Sequence, residues 1–151
     1  MRKFIPEMLA EINYNPSLIQ NYKGNVALTL LFQYAFLPEK KFDLPEGAPP
    51  YRKDSSPIGM SPIRFESEFR RFYIFTKEKQ LPKIRKEAIF VQLLEAIHPS
   101  EADILLSIKD QNINRLYANI TRELVENAGF IPKQDIKDEQ ENGRIVQAKK
   151  S

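Results

Sequence analysis

Residues 83–106 read KIRKEAIFVQLLEAIHPSEADILL, the densest apolar run of the chain, broken once at His98-Pro99. That broken run constrains the fold more than any other feature. Ile84, Ala88, Val91 and Leu94 recur at three- and four-residue spacing, the pattern of a helix that buries one face. Phe90, Leu93 and Ile97 widen the face, which puts this helix at the centre of the expected core. Lys83, Arg85, Lys86 and Glu87 crowd its first turns, so those turns are expected to be exposed. A proline disfavours α geometry in the residue before it and suits the first position of a helix. One helix therefore ends near Ile97, and a second starts at Pro99, as a tight corner. Glu101 and Asp103 stand near that start, where the helix dipole favours negative charge. Ala102, Leu105 and Leu106 supply the second helix's buried stripe.

The remaining sequence breaks into further short helices. Residues 4–12 form a first one, with Pro6 tolerated in its opening turn. Asn15-Pro16 is a cap and first-position pair for a helix to about Tyr22, stopped by Lys23-Gly24. Asn25 caps a third that stops at Pro38, with Leu28, Leu31, Phe32, Ala35 and Phe36 inward. Ser61-Pro62 restarts the helix, and Phe65, Phe69, Phe72, Tyr73 and Phe75 make an aromatic stripe to about Thr76. Residues 77–82 connect it to the central corner. Residues 110–114 read as a turn. A last helix covers 119–128, with Ile120, Leu124 and Val125 inward and Gly129 as its stop. Phe130-Ile131-Pro132 then latches the core. The expected fold is all-α, a compact bundle of six to seven short helices in one domain over residues 1–132, large enough for a real core.

Two segments stand apart. Residues 38–62 hold six of the chain's 11 prolines, with Gly47 and Gly59 adding turns. Such a segment is stiff and extended. Phe42, Leu44, Tyr51, Ile58 and Met60 mark it as a loop lying on the domain. Residues 133–151 are charged, with only Ile136, Ile145 and Val146 apolar. That is too little to hold structure alone.

Chemistry is sparse. The chain has one histidine and no cysteine, which excludes disulfides and thiolate metal sites and fits a cytosolic origin. His98 reads as a helix cap. Glu95, Glu101 and Asp103 read as acids serving a helix start. The five glycines form neither GxGxxG nor GxxxxGK, so no phosphate-cradling loop is present. No catalytic, cofactor or metal residue is assigned, and the expectation is a protein that is not an enzyme. The start MRKFIPEMLAEI is a poor signal peptide. No run reaches the roughly 18 apolar residues a membrane span needs. The net charge of +3 is mild. It is concentrated in residues 64–86, which carry eight basic residues against three acidic ones. Arg70, Arg71, Lys83, Arg85 and Lys86 are the candidate nucleic-acid contacts there. The plainer reading is a solvated helix face paired as Arg64–Glu68 and Glu66–Arg70. The preferred surface is one for a partner protein, built from Leu44, Pro45, Pro49, Pro50 and Tyr51 of the loop and Ile145 and Val146 of the tail.

Four segments occur in a distinctive order: LPEGAPPY (44–51), RRFYIF (70–75), KEAIFVQLLEAIHPSEADILLSIKD (86–110) and LYANITRELVENA (116–128). The pattern resembles a family of uncharacterised small proteins from tailed phages, notably myoviruses of the cyanophage type. The likeness lies in the LPEG-x-PP segment, the Arg-Arg-aromatic run, the LLE…HP-x-x-A corner and the Lys-Asp that follows. It covers about residues 1–132, and the tail has no counterpart. The resemblance implies a phage origin and expression in a bacterial host; it carries over no catalytic or binding residues. The expected function is non-enzymatic docking onto other phage proteins, or onto itself as a homo-oligomer. The chain would be a minor structural or adaptor component, in the virion or in the cytoplasm of the infected host. The alternatives are an early nucleic-acid-associated accessory protein and an inhibitor of a host protein.

Overall fold

The computed structural model describes residues 3–57 and 60–133. Six α-helices follow in order among them: α1 (Ile5–Tyr14), α2 (Val26–Phe36), α3 (Lys83–Ala96), α4 (Pro99–Lys109), α5 (Ile113–Leu116) and α6 (Arg122–Asn127). Three 3₁₀ segments, Pro16–Tyr22, Pro38–Lys40 and Phe65–Phe75, complete the regular structure, and no strand occurs among the described residues. The fold is all-α, as expected. The tail beyond Lys133, with Ile145 and Val146, lies outside the described residues, as do residues 58–59.

Helix boundaries follow from local chemistry. Asn15 Oδ1 accepts from the Ser17 N–H at 3.3 Å, and Asn25 Oδ1 accepts from the Leu28 N–H at 3.0 Å. At the corner between α3 and α4, His98 Nδ1 accepts from the Ser100 N–H (3.1 Å) while the His98 N–H donates to Glu101 Oε1 (3.0 Å). This reciprocal arrangement satisfies donors that a helix start leaves without partners. Gly24 and Gly129 end their helices at φ of +85° and +88°, where a side chain would be strained. The far end of α2 is closed by tertiary contacts. Gln111 Nε2 donates to the Tyr34 and Leu37 carbonyls (3.0 and 2.7 Å), and Arg122 Nη1 donates to the Phe36 carbonyl (2.6 Å).

The hub is α4, and α3 is displaced from the centre where the sequence puts it. Helix α4 packs against α1, α2, α3 and α5. Ala102, Ile104, Leu105 and Ile108 are buried along it, while Leu106 is only half-buried. In α3 the buried residues are Lys86, Phe90, Leu93 and Leu94, with Ile97 just beyond. Phe90, Leu93, Leu94 and Ile97 of the expected face are buried, whereas Ile84 and Ala88 are exposed and Val91 is half-buried, so that part of the stripe faces away from the core. The helix carries two apolar faces, and only one has partners within the bundle.

The aromatic stripe forms as a 3₁₀ helix. Three residues per turn bring Phe69, Phe72 and Phe75 onto one line, all buried together with Phe65. Tyr73 falls off that line and is exposed. The ion pairs change with the geometry. Arg64 pairs with Glu66 and Arg71 with Glu68, each at 3.2 Å, in place of the four-residue pairs an α-helix would make. Phe42, from the proline-rich loop, sits among Tyr34, Phe72, Phe75 and Phe90 with ring centroids 5.1–6.1 Å apart. The loop is thus nailed to the core by one aromatic ring. The last helix is shorter than expected, and the 110–114 turn gives way to α5 at Ile113, whose side chain is buried. Phe130 and Ile131 do close the core.

Glu101 is 4% exposed, and burial, its largest influence, raises its carboxyl pKa; the His98 N–H bond lowers it less. The folded state therefore holds that proton more tightly than the unfolded chain does. The resulting stability is present below the unfolded pKa and is lost as pH rises through the folded one. Glu101→Gln keeps an acceptor for the His98 N–H without the charge. Its unfolding free energy, measured by urea denaturation, is expected to gain on the wild type as pH goes from about 4 to about 7. A difference that is flat or shrinks across that range contradicts the assignment.

Candidate docking groove

The proline-rich loop is held against the bundle at successive points. The Asp43 N–H donates to the Phe75 carbonyl at 2.7 Å. Lys109, 1% exposed, donates through Nζ to the Pro45 carbonyl and to Asp110 Oδ1, both at 2.5 Å. The other oxygen of Asp110 accepts from the Gly47 N–H at 3.1 Å. Gly47 has φ +86°, so the turn that offers this N–H favours glycine. Further on, the Arg52 N–H donates to Glu95 Oε2 at 2.9 Å. A buried ammonium without partners would be costly. Lys109 finds its partners in Asp110 and the loop backbone.

So positioned, the loop stands off from α3 and leaves a groove of about 620 Å³. Leu44, Pro45, Pro49 and Pro50 form one wall, and Ile84, Ala88 and Val91 form the other. These three are the apolar positions of α3 that have no place in the core. Ile84 is 76% exposed. Phe90 and Lys109 line the base, and Glu46 and Glu87 supply acidic groups at the lining. Glu46 lies 3.9 Å from Lys41 and is itself largely exposed. Prolines lose little further freedom on binding, because their φ is already fixed. A groove with one proline wall and one helical wall is pre-organised for an apolar segment.

The candidate residues divide accordingly. Leu44, Pro45, Pro49 and Pro50 come together at the groove. Tyr51 does not line it. It is half-buried on the α4 side, where desolvation first, and then the negative charge of Asp103, raises its hydroxyl pKa. In the basic set, Arg70, Arg71, Lys83 and Arg85 are exposed, but Lys86 is 2% exposed and is removed from it. Its ammonium donates to the Thr76 carbonyl at 2.6 Å and faces Asp43 at 3.9 Å, so it holds the fold together instead of offering charge to solvent. Lys83 lies 3.5 Å from the same Asp43, and Arg71 is held by Glu68. No cluster of three or more His, Cys, Asp or Glu suited to a metal occurs among the described residues. No helix there is long and apolar enough to cross a membrane.

Sequence reasoning assigned none of Glu46, Ile84, Glu87, Ala88, Val91 and Lys109 to the candidate groove, nor Asp110 to its clamp. One signal was available. The LPEG turn and Lys109-Asp110 both belong to the segments quoted for the resemblance, and they meet through the Pro45 and Gly47 backbone. Residues 12–115 match a family described as a family of unknown function, DUF6433. The chain belongs to that family. The DUF6433 span runs from α1 into α5 and contains every residue that lines the groove. Neither the curated proteins nor the solved structures include a match to the chain.

Lys109→Met removes the clamp and leaves Asp110 Oδ1 without its ammonium partner. The loss of one partner from a buried pair is expected to lower the unfolding free energy by about 3 kcal/mol. Limited proteolysis is expected to cut within the proline-rich loop first. Unchanged stability and an uncut loop in this variant would contradict the clamp.

Proposed function

We propose that the protein acts without chemistry of its own, as a docking module. Its groove receives an apolar peptide segment flanked by basic residues, presented by another protein. The observation that carries this reading is the second apolar face of α3. Ile84, Ala88 and Val91 line the groove opposite a pinned proline wall, although the core has no use for them. The basic flanks follow from charge. Glu46 and Glu87 stand in the lining, while the lysine there, Lys109, is buried and already bonded within the fold. The setting we propose, a minor structural or adaptor component of a phage particle, rests on the resemblance of the four sequence segments.

A peptide library selected against the full-length protein tests the groove. Selected peptides are expected to carry paired apolar residues next to lysine or arginine. Ile84→Asp is expected to abolish their binding while changing stability by no more than about 0.5 kcal/mol, as an exposed substitution should. Selection that yields no such peptides, or binding that survives Ile84→Asp, overturns the reading. Mass spectrometry of purified particles from the genome that encodes the chain tests the setting. A copy number in fixed ratio to the major capsid protein is expected, and absence from the particles overturns the virion role.

A further inference from the structure

The aromatic stripe leaves one ring outside. Phe69, Phe72 and Phe75 fill the core along one line of the 3₁₀ helix, whereas Tyr73 is 41% exposed. With three residues per turn, Tyr73 shares an outer line with Arg70, which is also exposed. Lys77 follows just past the helix end and is exposed as well. Residues 70–79 carry four basic side chains against one acid, Glu78. Neither Arg70 nor Lys77 has an ion-pair partner among the described residues. The edge is thus an aromatic ring between two unpaired cations. Tyrosine and arginine are among the side chains that carry most of the energy at protein interfaces. The groove offers the complement. Ala88, between Ile84 and Val91, leaves a notch in the helical wall, and Glu46 and Glu87 stand at the lining. Glu87 has no ion-pair partner among the described residues.

We infer that the groove of one molecule receives the Arg70–Tyr73–Lys77 edge of a second copy of this chain, with the Tyr73 ring against Ile84, Ala88 and Val91 and the two cations toward Glu46 and Glu87. The inference rests on the groove's being a docking surface, and it names the protein that docks there. A molecule cannot close this contact on itself. At about 100° per residue, Ile84, Ala88 and Val91 lie on the face of α3 opposite Ile89 and Leu93. Those two residues line a small cleft with Ile74 and Phe75 of the 3₁₀ helix. Groove and edge therefore lie on opposite sides of α3. Because the two patches differ, the contact is head-to-tail. Each molecule offers one groove and one edge, and copies add until a ring closes or a filament runs on.

Sedimentation velocity of the full-length protein tests this. The wild type is expected to grow past a dimer as its concentration rises toward about 100 μM. Ile84→Asp spoils the groove and Tyr73→Asp spoils the edge. Each variant alone is expected to stay folded and monomeric, since both positions are exposed. An equimolar mixture of the two is expected to give a 1:1 dimer and nothing larger, because one intact edge and one intact groove remain. Ala88→Arg, a change an exposed helix tolerates, fills the notch and is expected to act as Ile84→Asp does. A wild type that stays monomeric at that concentration overturns the inference. Assembly that survives any of these substitutions overturns it too, as does a mixture that stays monomeric. Peptide selection reads the groove separately. Selected peptides that bind a monomeric wild type keep the groove and give it a foreign occupant, whereas failure of both measurements removes the groove itself.

Discussion

The architecture around the groove depends on one constraint: an ammonium group that is taken out of water must be given oxygens. Lys86 and Lys109 are both buried, and each solves the problem with backbone carbonyls and a single carboxylate. Lys86 draws on Thr76 and Asp43, and Lys109 on Pro45 and Asp110. Asp43 and Pro45 belong to the proline-rich loop, so each lysine ties that loop to a helix of the bundle. Phe42 adds an apolar anchor beside them. A segment with almost no regular structure thereby acquires a defined path, and the groove exists because the path is defined.

Helix ends were the most legible part of the sequence, because their causes are local. Asn15-Pro16, Asn25, His98-Pro99, Gly24 and Gly129 each act within a few residues, and each boundary falls where the residue types place it. The face that α3 turns to the core was less legible. Ile84, Ala88 and Val91 lead at regular spacing into Leu94, but the structure buries Leu94 together with Lys86, Phe90, Leu93 and Ile97 and leaves the other three at the groove. Reading charge as exposure left Lys86 out of the buried set. The burial of Lys86 depends on Thr76, 10 residues away, and on Asp43, 43 residues away. Spacing along one helix holds no record of either.

The candidate site was legible in its loop half alone. Leu44, Pro45, Pro49 and Pro50 announced themselves by composition, whereas the opposite wall was hidden by being assigned to the core. The basic segment shows the reverse error. Its charge count was read correctly, but Lys86 belongs to the interior, and Arg71 and Lys83 face acidic partners. Charge density along a sequence does not by itself make a charged surface.

The 3₁₀ form of Phe65–Phe75 sets a rule for the length of this part of the chain. With three residues per turn and about 2.0 Å of rise per residue, removing one residue would rotate all that follows by about 120° and carry the downstream rings off their line. Removing three would restore the line and shorten the element by about 6 Å. Length variation here is therefore quantised, tolerated in whole turns and rejected between them. The neighbouring proline loop, held at separated points, can absorb single residues in its exposed stretches without disturbing any ring.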